Sequence, residues 1–110
     1  MKPVAYTIYW TTPAQEDLEI IIDFIAIENE SVAFDIYGKI KNVCNKLSQY
    51  PNTGRIVPEL KIQNIEIYRE LIFSPWRIMY SVNDLVVTIH AVIDSRRDVN
   101  DALLSRTLDR

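Results

Sequence analysis

A change of hydrophobic period divides this chain. Between residues 12 and 47 apolar side chains recur at helical spacing. From residue 65 to 93 they gather into β-branched and aromatic runs broken by turn residues. Neither part can bury its apolar side alone, so a helical layer has to stack on a sheet. One further β-rich run, Val4 to Trp10, precedes the helices. The expected order is strand, two helices, three strands. This is an α+β fold with an N-terminal strand, an α-helical hairpin packed on one face of a twisted antiparallel β-sheet, and a short C-terminal helix or tail over DVNDALLSRTLDR.

The helical part carries its own punctuation. Thr12 is placed to be an N-cap, Pro13 suits the first helical position, and Gln15 completes a capping box. Glu16, Asp17 and Glu19 follow, where acids complement the helix dipole. Leu18, Ile21, Ile22 and Ile25 form the apolar stripe; Ile20, Phe24 and Ile27 widen it and predict a helix covered on two sides. Glu28-Asn29-Glu30 breaks this helix, and Ser31 is placed to cap a second one. Its apolar face holds Ala33, Ile36, Tyr37, Ile40, Val43, Cys44 and Leu47. So short a break implies an antiparallel helical hairpin. Tyr50-Pro51-Asn52-Thr53-Gly54 ends it, with Gly54 expected at positive φ and Arg55 presented from the loop.

The strand part poses a question about charge. Arg69 and Arg77 lie among apolar neighbours in YRELIFSPWRIMYSV. A two-residue turn at Asn83-Asp84 sets Val82 opposite Leu85 and Arg77 opposite His90. Ile78, Tyr80, Val82, Leu85, Val87 and Ile89 then share the core face, while Arg77 and His90 share an open one. A three-residue loop at Phe73-Ser74-Pro75 puts Ile72 opposite Trp76 and Arg69 opposite Met79 on that open face. A slip by one residue sends Arg69 to the core side, where a lone charge is costly. The first register leaves Glu66 and Glu70 at core parity, which a bulge or an edge position would have to resolve. The arginines are expected to project from the uncovered face, as decoration of a solvated sheet or as a binding surface. Arg suits phosphate or carboxylate partners, and His90 suits acid or base work near neutral pH.

Composition narrows the function classes. At 110 residues the chain is expected to form a single domain over 1–110. Apolar residues make up 48% and charged residues 25%, as in globular rather than disordered proteins. No apolar run reaches membrane-spanning length, and the N-terminus lacks the apolar segment of a signal peptide. The single cysteine, Cys44, cannot form an internal disulfide, and the expected location is cytoplasmic with no membrane partner. One Cys and one His offer no metal cluster, and there is no glycine-rich phosphate loop, so no metal or other cofactor is expected. The net charge of -3 weighs against non-specific nucleic-acid binding. It is unevenly spread, because residues 1–35 hold seven acids and one base.

Several segments together carry a family likeness: PAQEDLEIIIDFI, LSQYPNTGR, YREL, WRIMYSV and IDSRRD, in this order. With them the chain resembles the RelE/ParE superfamily of toxins from type II toxin–antitoxin systems, also called plasmid stabilisation proteins. The resemblance covers nearly the whole chain. It implies a helical hairpin on an antiparallel sheet, a growth-inhibiting activity, and a cognate antitoxin that wraps the toxin. The antitoxin is expected to lay an amphipathic segment along the hairpin or the sheet edge, with higher-order toxin–antitoxin oligomers as a further expectation.

The branches of the superfamily differ in target. RelE-like members cut mRNA on the ribosome, and ParE-like members poison DNA gyrase. Cutting RNA needs a base, an acid and cations against the phosphate. On that reading Arg69, Arg77 and Arg97 (or Arg96) would meet the phosphate and His90 would move the proton. On the ParE-like reading the same residues would bind the target. Arg77 in WRIMY matches the strand arginine of the RelE-like branch, and SRRD matches its closing basic motif. Other parts are missing. Glu66 and Glu70 flank Arg69, no Tyr, His or Lys follows Arg97, and Asp94 stands where many relatives carry His. His90 lies four residues earlier and is not its equivalent. These departures and the acidic balance favour the ParE-like branch.

Overall fold

The computed structural model describes residues 5–108. Strand β1 (Thr7–Trp10) leads into helices α1 (Thr12–Glu28) and α2 (Glu30–Asn45), and a 3-10 turn (Lys46–Ser48) closes α2. Then come β2 (Arg55–Ile56), α3 (Pro58–Lys61), β3 (Tyr68–Phe73), β4 (Trp76–Asn83), β5 (Val86–Asp94) and α4 (Val99–Leu108). The five strands form one sheet in the order β1-β5-β4-β3-β2. β1 runs parallel to β5, and every other pairing is antiparallel. The α+β architecture, the helical hairpin and the closing helix are as the sequence implies. Val4, expected to open β1, and Asp109 and Arg110 of the expected tail lie outside the described residues.

The caps sit earlier than expected. Thr11, not Thr12, caps α1: its side chain accepts from the Ala14 N–H at 3.2 Å and its hydroxyl also donates to Ile89 O. Gln15 does not reach back to the cap; its amide accepts from Lys41 Nζ at 3.0 Å. The first acid, Glu16, falls beyond the first turn. Asn29, not Ser31, caps α2, accepting from the Val32 N–H at 3.0 Å, and its own N–H closes α1 on Ile25 O. A single extended residue therefore serves both helices, which makes the hairpin as tight as a one-residue joint allows.

One face of the sheet takes the hairpin. Ala14 and Leu18 of α1 and Ile40 and Cys44 of α2 pack on Ile78, Tyr80, Val87, Ile89 and Val92. The other face, expected to be open, is covered. Val57 and Leu60 around α3, with Val99, Ala102 and Leu103 of α4, pack on Met79, Ala91 and Ile93. The physical reason is a bulge in β5. Tyr80 pairs with Ile89 and Met79 with Ala91, so His90 is the extra residue and the parity beyond it shifts. Ala91 and Ile93 thereby join Met79 as a second apolar surface, which solvent would not tolerate bare. Conversely, Ile20, Phe24 and Ile27 are 69, 75 and 82% exposed, so α1 is covered on one side only.

The turns also differ from expectation. The β4–β5 turn is Asp84-Leu85, with Asp84 at φ 54°, so Asn83 pairs with Val86 and Val82 with Val87. The β3–β4 turn is Ser74-Pro75, joined by a cis peptide, and Phe73 pairs with Trp76. Leu85 is half exposed rather than in the core. Gly54 is not at positive φ. It is needed for close approach instead: a Cβ there would lie 2.5 Å from Glu70 O and 2.7 Å from the Tyr80 hydroxyl. That buried hydroxyl accepts from the Gly54 N–H at 2.9 Å and donates to Pro51 O at 2.7 Å, pinning the turn after α2 to the sheet.

Gly54→Ala is expected to cost about 1–3 kcal/mol, because backbone rather than a flexible side chain has to yield. Urea denaturation followed by circular dichroism measures it, and an unchanged midpoint would contradict the close-approach account.

Candidate functional site

The three candidate arginines and the histidine do not gather into one site. Arg77 is the most altered from expectation. It lies opposite Ile72 on β3 and Ile93 on β5, not opposite His90. It is buried, with only 5% of its surface exposed. Its guanidinium is held by two carboxylates. Nε donates to Glu70 Oε1 at 2.6 Å and Nη2 to Glu70 Oε2 at 3.1 Å. Nη1 and Nη2 donate to the two oxygens of Glu59 at 2.6 and 2.7 Å, a fork-to-fork pair. Arg55 of β2 completes the group, its Nε donating to Glu70 Oε2 at 2.7 Å.

The register explains the arrangement. Because the β3–β4 turn has two residues, Glu70 pairs with Met79 and is diagonal to Arg77 on the same face. Glu70 is therefore buried beside two guanidinium groups, which resolves its awkward parity in the sequence. Glu66 precedes β3 and is exposed. Glu59 reaches in from α3, and Arg77 holds its carboxyl well below the ordinary value, at about 2. The same hydrogen bonds push the Arg77 pKa further up, so its charge is permanent. Two arginines and two glutamates cancel, leaving no net cation here for a phosphate.

Arg69 faces the other way. It pairs with Tyr80, not Met79, and its Nη1 donates to Gly54 O at 2.7 Å. The cost of a charge on this side is met at the sheet edge, where the half-buried side chain reaches the carbonyls of the turn after α2. His90 sits at the bulge on the second face. Its Nε2 shares a hydrogen bond with Ser81 Oγ at 2.7 Å, and the Tyr68 ring stands edge-on at 5.3 Å. Arg97 lies in the loop before α4, exposed, with no side-chain partner among the described residues. Its neighbour Arg96 pairs with Asp94, whose carboxyl it holds below the usual range.

A second polar bridge was not foreseen. Asp17 of α1 accepts from the Val92 N–H at 2.9 Å and from Arg106 of α4 at 2.6 Å. Arg106 also donates to His90 O at 2.7 Å. The bridge exists because β1 covers β5 only from Val86 to Ile89, so the β5 edge beyond needs other partners. Among the described residues no group of three or more His, Cys, Asp or Glu is placed to hold a metal ion. None of their helices is long and apolar enough to cross a membrane.

The sequence matches one family profile, described as ParE toxin of type II toxin-antitoxin system, parDE, over residues 8–99. The chain belongs to the ParE toxin family. No curated protein matches the sequence. Among solved structures, a chain of the chromosomal ParDE toxin-antitoxin system from P. aeruginosa is similar with a TM-score of 0.66 at 20% identity. The likeness covers 82% of this chain and 96% of that one. A chain of the toxin-antitoxin complex RelBE2 from Mycobacterium tuberculosis is similar with a TM-score of 0.54 at 21% identity, covering 84 and 94%. At such identities these two likenesses speak for the fold. The family match makes this chain a type II toxin-antitoxin toxin of the RelE/ParE superfamily.

In this ParE family member, Arg77→Ala is expected to cost about 3–5 kcal/mol by stranding Glu70 without its main partner, and a paired Arg77→Met/Glu70→Leu change to recover much of that loss. Chemical denaturation of the two variants checks it. Glu59 adds a pH signature. A carboxyl held at about 2 against an ordinary 4.5 stabilises the fold fully above 4.5 and loses that contribution as pH falls toward 2. Glu59→Gln is expected to flatten acid unfolding across that window, and equally steep profiles would refute it.

Proposed function

We propose that this chain arrests growth by binding DNA gyrase in the cytoplasm, without cutting RNA, and that a cognate antitoxin neutralises it. The observation that carries this reading is the state of Arg77. A ribonuclease needs uncommitted cations where the scissile phosphate sits. Here the one strand arginine that matches the nuclease pattern is buried, and its charge is taken up by Glu59 and Glu70. Arg69 is turned toward backbone carbonyls, and the His90 Nε2 shares a hydrogen bond with the Ser81 hydroxyl. Membership of the ParE family supports the same target class.

The test uses two assays on the purified chain. In a cell-free translation reaction supplied with finished mRNA, protein synthesis is expected to continue and the mRNA to stay intact. In a gyrase supercoiling reaction, added toxin is expected to inhibit, and prior addition of the product of an adjacent antitoxin gene is expected to relieve it. Cleavage of ribosome-bound mRNA would replace this reading with the RelE-like one and make His90 the first residue to mutate.

A further inference from the structure

Where β1 stops, a short cleft opens between α1 and the far end of β5. The β5 edge past Ile89 has no strand beside it, and α1 passes over the gap. Ile21, Phe24 and Ile25 fall on one side of α1 at i, i+3, i+4 spacing and form one wall. Trp76, Val92 and Ile93 form the other. The cleft holds about 510 Å³, inside the roughly 300–1,000 Å³ of small-molecule sites, and its lining is mostly apolar, as in such sites. It is also short. Of β5 only Val92, Ile93 and Asp94 line it, and three strand residues span roughly 10 Å. Asp17, tied to the Val92 N–H, stands at the end toward β1, and Pro75 and Asp94 stand at the other. A compact molecule fits that length better than a length of polypeptide does.

The charges around the cleft select the head group of its occupant. Asp17, Asp94 and Arg97 are the charged residues that line it. Asp17 accepts from the Val92 N–H and from Arg106. Asp94 accepts from the Arg96 backbone N–H and guanidinium. Each carboxylate is thus matched by one arginine, and Arg97 remains. Its backbone N–H donates to Asp94 O at 3.0 Å, which fixes its place at the rim, and its guanidinium is exposed with no side-chain partner among the described residues. Glu16, Glu19 and Asp23 of α1 do not line the cleft. A chain of net charge -3 therefore carries an apolar cleft with a locally positive rim. The planar fork of an arginine suits a carboxylate or similar oxyanion. We propose that this cleft binds a small anionic amphiphile, its aliphatic or aromatic body between α1 and β5 and its oxyanion head on Arg97. The inference does not depend on whether gyrase or the ribosome is the target, and its test uses neither.

The probes are decanoate, decanol and decyltrimethylammonium, which share one alkyl chain and differ in head charge. Below micelle-forming concentrations, each competes with the dye anilinonaphthalene sulfonate for the whole chain, read by dye fluorescence and corrected for the dye affinity of each variant. The dye is expected to bind in a single equivalent. Decanoate is expected to bind roughly three- to tenfold tighter than decanol, the range for an exposed ion pair, and decyltrimethylammonium no tighter than decanol. Non-specific attraction to an acidic chain favours the cation, so this order needs a local positive charge. Arg97→Ala is expected to abolish the preference for decanoate and leave decanol unchanged. Phe24→Ala is expected to weaken all three by a similar factor. Both positions are exposed, so both variants are expected to fold, and circular dichroism verifies it. Equal affinity for decanoate and decanol, preference for the cation, or binding of none overturns the proposal. So does more than one dye equivalent, a decanoate preference that survives Arg97→Ala, or indifference to Phe24→Ala.

Discussion

Most of the second face of this protein hangs on one buried guanidinium. Taking a charge out of water is expensive, and it is tolerated only when the geometry of the pair is excellent and nearly every donor is used. Arg77 meets that condition by dividing its N–H groups between Glu70 on the neighbouring strand and Glu59 on α3. Glu70 in turn takes Arg55 from β2. Four elements that are short or distant in sequence are thereby tied at one point. α3 has only four residues and β2 only two, too few to be stable from backbone bonds alone. The charge cluster and the apolar cluster around Val57 and Leu60 hold them together.

The second constraint is the length of β1. A four-residue strand pairs with only part of β5, and the chain then leaves the sheet as α1. Two consequences follow from the same cause. The orphaned edge of β5 needs polar partners, which Asp17 and Arg106 supply from the two opposite layers. The gap also leaves apolar side chains of α1 and β5 facing each other across a groove rather than packed together. Asp17 thus does two jobs: it closes the edge, and it links the hairpin layer to α4.

The parts of this architecture that were legible in the sequence are those set by local period. The α1 and α2 stripes around Leu18 and Ile40, the break near Asn29, the three β-rich runs and the final helix all follow from spacing. The cap positions miss by a residue or two, since Thr11 and Thr12, or Asn29 and Ser31, are chemically near-equivalent caps. Register was the real loss. Choosing three turn residues rather than two at Ser74-Pro75 moves Arg69 and Glu70 to each other's faces. One bulged residue, His90, separates it from Arg77 and creates a second core where an open face was expected. A signal is present: a three-residue turn leaves Glu66 and Glu70 at an awkward parity for a core face. Placing Glu70 diagonal to Arg77 removes that conflict for Glu70, and only the shorter turn does so. α3 and the Asp17–Arg106 bridge left no comparable trace, because a four-residue helix has no period and the bridge spans 89 positions.

Register also decides how the molecule presents itself to others. A basic side chain seen in sequence is a charge available for a ligand only if no internal partner has taken it. Here the strand arginines are committed to Glu59, Glu70 and the Gly54 carbonyl, so they stiffen the sheet rather than advertise it. Exposed carboxylates outside these pairs stand on α1, beside the most exposed run of large apolar side chains on that helix. Chemistry on a substrate asks for converging, partly desolvated polar groups, whereas recognition of a protein asks for apolar anchors with a charged border. The described surface has the second set of features in one place and the first set dispersed.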